Sequence, residues 1–307
     1  MIRALLAMST LVVTFDSTAV AAAAAGMQRG QDFWHELAKE CAVPAGETPY
    51  GLLREAITFL GSPDSVWRDD IGYSVVVACA YQQERLTPGE RVELIDVLSA
   101  NLRKGIGQQG DDSVLLRSYS ALDLSVLAAL DQQRPALDDA RYRRLVDDSF
   151  AYLHDERDLR GFEPRVGWIH ATAHTADLLK FLARDRRFTA ADQARLFDAT
   201  WDKMTSPGTP VFTHAEDERL AAAILSVVRR PDFQPASLAP WLGRFVALEQ
   251  DVWKKTPPDP AQLDTSQNAR NLLRSLHLLL MYPKPDPTAG QLASREKVLE
   301  TLQAIRR

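Results

Sequence analysis

His170 and His174 stand four residues apart in Gly167-Trp168-Ile169-His170-Ala171-Thr172-Ala173-His174-Thr175-Ala176-Asp177. On a helix that spacing puts both imidazoles on one face, and Asp177, three residues on, could orient His174. Two histidines and a carboxylate could hold zinc or another divalent metal, act as acid and base, bind an organic ligand, or pack as hydrogen-bonded core groups. The metal reading lacks the glutamate of an HExxH helix and has no third histidine or cysteine nearby in sequence. Asp217 would be the further ligand if its helix started alongside.

A repeat says what would stand alongside. Leu86-Thr87-Pro88, Leu137-Asp138-Asp139 and Phe188-Thr189-Ala190 lie 51 residues apart, and each is followed at the same offset by Leu, an apolar residue and Asp: Leu94-Ile95-Asp96, Leu145-Val146-Asp147 and Leu196-Phe197-Asp198. Thr87, Asp138 and Thr189 are N-cap types, and the apolar spacing of three and four that follows is a buried helical stripe. Longer apolar-periodic stretches precede them, near 66–84, 112–132 and 167–184, with return loops near 104–112, 154–166 and 204–213. Weaker helices are expected near 28–40, 49–60, 214–230, 236–254, 266–282 and 290–305. No period-two stretch makes a convincing strand. The expected fold is all-α, an α-solenoid of helical hairpins resembling HEAT and armadillo superhelices, with a repeat of about 51 residues. Pro257, Pro258 and Pro260 read as an inter-helix loop within one domain, 26–307.

Stacked repeats bring equivalent positions together. Eighteen residues before the three markers lie Arg68, Tyr119 and His170, and a further step of about the same length gives Arg219. They form an expected row at the starts of the first helices, where unpaired amides favour anions. Around the row are Arg117, Trp168, Asp177 and Asp217, and the loop before His170 carries Asp155, Glu156, Arg157, Asp158 and Arg160. The candidate binding set is therefore Arg117, Tyr119, Arg160, Trp168, His170, His174, Asp177, Asp217 and Arg219. The alternative is a structural network, in which the carboxylates cap helices and Arg117 clamps one unit to the next.

Composition narrows the setting. The 307 residues are 46% hydrophobic and 25% charged with a net charge of −5, which excludes a disordered or multi-span membrane protein. No basic stripe exists for nucleic acid, and GxGxxG, P-loop, GxSxG and CxxC motifs are missing. Met1–Arg3 followed by apolar residues 4–15 and a small-residue stretch has the layout of a secretory signal peptide, 1–25, with cuts fitting after Ala21, Ala23 or Ala25. The apolar run is too short to span a bilayer, so no membrane span is expected in the mature chain. Loss of the leader removes one base, Arg3, and one acid, Asp16, leaving the charge unchanged. An exported, periplasmic or secreted chain could pair Cys41 with Cys79, although both could equally be small buried apolar groups.

Four stretches in order, Asp111–Ser120, Asp155–Phe162, Gly167–Asp177 and Glu216–Leu220, resemble the bacterial domain-of-unknown-function family 2785 over about residues 50–230. The resemblance implies an all-helical protein and supplies no activity or cofactor. The leading expectation is binding of an unidentified small molecule or protein, with an anionic or carboxylate group, around Arg117, Arg160, His170, His174 and Asp217. The rival is a periplasmic hydrolase using His170, His174 and a carboxylate for metal-assisted or acid/base chemistry.

Overall fold

A computed structural model describes residues 29–282 and 287–305, and the expected leader lies outside them. The described chain is all-α apart from two two-residue strands. Its first helices are α1 (Gln31–Glu40), α2 (Pro49–Ala56), then α3, residues 66–82, which is π-helical at Val66–Tyr73 and Val77–Gln82 around an α-helical Ser74–Val76. Next come α4 (Pro88–Asn101), α5 (Ser113–Gln133), α6 (Asp139–Asp155), strands β1 (Phe162–Glu163) and β2 (Gly167–Trp168), and α7 (Ala171–Leu182). The rest are α8 (Ala190–Thr205), α9 (Glu216–Val228), α10 (Leu238–Val252), α11 (Pro260–Met281) and α12 (Ala289–Ala304).

The three expected caps are in place. Thr87, Asp138 and Thr189 accept hydrogen bonds from the amides of Glu90, Arg141 and Asp192 at 3.2, 2.8 and 3.3 Å. The carboxylates of Glu90 and Asp192 accept in return from the Thr87 and Thr189 amides, closing two capping boxes. Each box satisfies amides that would otherwise be orphaned at a helix start.

The longer helices pack in chain order: α3 against α5, α5 against α7, α7 against α9, and α9 against α11. Helices α4 and α6 cover α5 and α7, α8 packs on α6, and α10 packs on α11 and α12. One core runs through this arrangement, from Trp34 and Leu60 through Leu124, Leu179 and Ile224 to Leu272 and Val298. Helix α5 is long and apolar enough to cross a bilayer by length and composition, but 78% of that window is buried inside the protein.

Cys41 and Cys79 are bonded, with Cα atoms 5.0 Å apart. Cys41 can reach because it ends α1 in the left-handed conformation, which turns the chain back toward α3. The bond closes a span of 38 residues, worth about 4 kcal/mol in a chain-entropy treatment of the unfolded state.

One expectation about the elements changes. The helix expected from 167 starts only at Ala171, and part of the loop before it is a tight antiparallel hairpin pairing Phe162 with Trp168 and Glu163 with Gly167. Gly167 at φ +80° and His170 at φ 51° both occupy the left-handed region, so a helix cannot pass through them.

Candidate functional site

The hairpin places the site. The Ile169 amide donates to the Gly161 carbonyl at 2.8 Å, and the His170 amide reaches the Arg160 and Gly161 carbonyls at 3.2 Å. Gly161 has no room for a side chain, because a Cβ there would lie 2.5 Å from Glu216 Oε1, 2.6 Å from His214 Nδ1 and 2.7 Å from His214 Cβ. From below, the Arg68 guanidinium, buried on α3, donates to the Val166 carbonyl at 2.7 Å and to the Ser62 carbonyl at 2.9 Å. Its Nε lies 2.7 Å from Asp69.

Of the expected row, Arg68 touches Tyr119, and His170 joins them through His174. The Arg68 guanidinium carbon lies 4.8 Å from the Tyr119 ring centre, a cation–π contact. Tyr119 meets His174 edge-on at 5.0 Å and donates to the Trp168 carbonyl at 3.3 Å. His170 stacks on Trp168 at 4.6 Å and meets His174 edge-on at 5.7 Å. Trp168 is 42% exposed and its neighbour Phe162, at 5.1 Å, is 44% exposed. Two large aromatic side chains thus face solvent beside two nearly buried imidazoles.

The tautomers follow from proton counting. The Ser118 hydroxyl donates its one proton to the Ile169 carbonyl, so its 2.8 Å contact with His174 Nδ1 must be a hydrogen bond donated by the ring. His174 Nε2 then carries a lone pair, with no hydrogen-bond partner among the described residues. His170 donates from Nε2 to the His214 carbonyl at 2.6 Å, with Glu216 Oε1 3.7 Å away, which leaves Nδ1 as its acceptor. Burial holds the His174 pKa down at about 3, helped by the nearby charges of His170 and Arg219. Burial also lowers that of His170. Both rings are neutral at pH 7, and each presents one bare nitrogen.

The other residues singled out from sequence are already engaged. Arg117, fully buried, makes four hydrogen bonds: two to the Glu156 carboxylate at 2.6 and 3.2 Å, one to the Lys104 carbonyl and one to Ser113. It is a clamp between α5 and the end of α6, and contributes no donor to the Trp168–His174 corner. Arg160 is held by Asp158, Glu163 and the Asp111 carbonyl within its own loop region. Asp177 does not orient His174; it pairs with Lys180 and Arg219. Arg219 keeps further donors and a side chain 46% exposed. Asp217 does not approach the histidines either. It lies 3.4 Å from Ser275, with its pKa raised by burial. The carboxylate beside His170 is Glu216, one residue earlier, because Ala215 takes the left-handed conformation at φ 67° and resets the start of α9. Among the described residues no group of three His, Cys, Asp or Glu side chains is arranged to hold a metal ion.

Besides Phe162, His214 and Glu216, two more residues of note lay outside the candidate set. Ser118 sets the His174 tautomer and lies 51 residues before Ile169, whose carbonyl it holds, so the repeat could have flagged it. Asp123 lies in α5, 51 residues before His174. Its carboxyl group is completely buried with both oxygens unpartnered, and burial raises its pKa well above the carboxylate range.

A family model described as "Protein of unknown function (DUF2785)" matches residues 102–278, which include α5 to α10, the hairpin and nearly all of α11. Neither the curated proteins nor the solved structures yield a match.

Proposed function

The chain belongs to the DUF2785 family, and for this member we propose an exported α-solenoid that binds a ligand at the corner formed by Tyr119, Trp168, His170 and His174. The solenoid reading is supported by the chain-order packing of α3, α5, α7, α9 and α11, and by caps recurring at Thr87, Asp138 and Thr189. Export is supported by the Cys41–Cys79 bond, which an oxidising compartment maintains.

The observation that carries the binding reading is the pair of bare imidazole nitrogens beside exposed Trp168 and Phe162. Bare nitrogens call for hydrogen-bond donors, and exposed aromatic faces call for a flat apolar surface. A sugar ring offers both, hydroxyl groups at its edge and C–H groups on its face. Arg219, half exposed at the next helix start, would take a carboxylate on that sugar. We therefore assign the ligand class as a glycan, with uronic-acid units preferred over neutral ones. The magnitude of the His174 shift argues against the hydrolase reading. A ring with a pKa of about 3 accepts a hydrogen bond at pH 7 but is a poor general base, which works best with a pKa near the operating pH.

Calorimetric titration with neutral and uronic-acid oligosaccharides tests this. Saturable binding is expected, weakened roughly tenfold or more in Trp168→Ala, as for a central aromatic anchor. A panel without binding, or equal binding by the variant, would overturn it.

A further inference from the structure

The cationic residues that looked suited to an anion, Arg117 and Arg160, are neutralised by neighbouring carboxylates and carbonyls, while Lys203 is not. Lys203 sits in the last turn of α8 at 6% exposure. Its ammonium group donates to the Glu156 carbonyl at 2.7 Å, a carbonyl left over at the end of α6. That is its one hydrogen bond among the described residues, so two of its three N–H groups have no protein acceptor. The carboxylate of Glu156, which lines the same cavity as Lys203, is taken by Arg117 at 2.6 and 3.2 Å and by the Asp158 amide at 2.9 Å. Lys203 therefore carries a buried charge with no ion-pair partner, a costly arrangement unless something completes it.

Lys203 lines a cavity of about 160 Å³ together with Glu156, Gln109, Arg157 and Thr209. A second, more open pocket shares Gln109, Arg157, Leu159 and Gly208 with it and is also lined by Asp158 and Arg160. Arg157 is exposed on the shared wall and makes no side-chain hydrogen bond or ion pair among the described residues. The inner cavity is well below the ~300–1,000 Å³ of drug-sized sites, so it suits a group of a few heavy atoms. Burial lowers the Lys203 pKa to about 8, opposed by Glu156, so the group remains mainly charged at neutral pH.

We propose that this cavity is a binding site for a small oxyanion, a phosphate or carboxylate group, held between the Lys203 ammonium and the Arg157 guanidinium. It shares no residue with the Trp168–His174 corner, so either site can fail alone. A cation that gains an oxyanion partner in a sheltered cavity makes a charge-assisted hydrogen bond, stronger than its present contact with a neutral carbonyl. Gln109 adds a donor at the mouth.

The test is calorimetric titration of the full chain with inorganic phosphate, acetate and glucose 6-phosphate. Saturable phosphate or acetate binding is expected, falling roughly tenfold or more in Lys203→Met and by a smaller factor in Arg157→Gln, as for lost charge-assisted hydrogen bonds. Glucose 6-phosphate binding tighter than phosphate assigns the anion as the head of a larger ligand; equal binding assigns a free ion. Absence of saturable binding by any of the three, or unchanged affinity in Lys203→Met, overturns the proposal and leaves the cavity to water. Should Lys203→Met fail to fold, the exposed Arg157→Glu decides: unchanged affinity in that variant overturns it equally.

Discussion

Asp123 on α5 and His174 on α7 stand 51 residues apart, and burial moves their pKa values in opposite senses. Burial disfavours the charged form of each, lowering the His174 pKa and raising that of Asp123. Their effects on stability therefore oppose each other. For Asp123 the folded pKa is raised, so its contribution is present below the ordinary carboxylate pKa and is lost as pH rises toward the folded value. Asp123→Asn should remove that loss. Chemical denaturation should find the stability of the variant relative to wild type rising between pH 4 and pH 8, with a flatter profile of its own, because an amide has no charge to suppress on burial. A less stable variant with an unchanged profile would mean that the carboxyl group has a partner. The proximity of His170 and His174 was legible in sequence because they stand four residues apart, and the 51-residue spacing led Tyr119 to be expected beside them. A clamping Arg117 was one of the sequence alternatives, but its partner Glu156, and the Asp158 that holds Arg160, follow a chain path that no periodicity describes.

The hairpin between α6 and α7 is the element that makes the site, and it is where sequence reading went furthest astray. Gly161 shows why. It appears in sequence as one glycine in a polar loop, but its missing Cβ leaves the space that His214 and Glu216 fill. Those two residues in turn receive His170. Gly161→Ala should cost about 1–3 kcal/mol, the usual penalty for forcing atoms into a packed site. Because the His214 Cβ is anchored to the backbone, the strain should pass to His170 and weaken the proposed glycan binding as well. Thermal unfolding and titration of the same variant would check both, and a variant with wild-type stability and affinity would show the contact to be soft. The caps at Thr87, Asp138 and Thr189 were legible because capping is local chemistry. The helix start at Ala171 was not, because the left-handed His170 that delays it is held by the Arg160 and Gly161 carbonyls across the hairpin.

At the scale of the molecule, fold class was written in the spacing of apolar residues, and the packing of the long helices follows chain order. The Cys41–Cys79 pair was readable as the one pairing available, whereas its formation depends on α1 turning back at a left-handed Cys41. Reduction should lower stability by about 4 kcal/mol, from the entropy returned to the unfolded chain. Denaturation with and without reductant measures this, and a change below about 1 kcal/mol would mean the terminal helices are held without the bond.

The central claim is that the corner presents a neutral His174 with a bare Nε2. Nitrogen-detected NMR of the imidazole across a pH titration reads tautomer and charge at once. The account predicts a proton on Nδ1, none on Nε2, and no titration between pH 8 and about 4, given a pKa of about 3. It also predicts about 5 kcal/mol of stability lost as pH falls from 6.5 toward 3, because protonation is then resisted only in the folded state. A proton on Nε2, or titration near the ordinary histidine value of about 6.5, would contradict it.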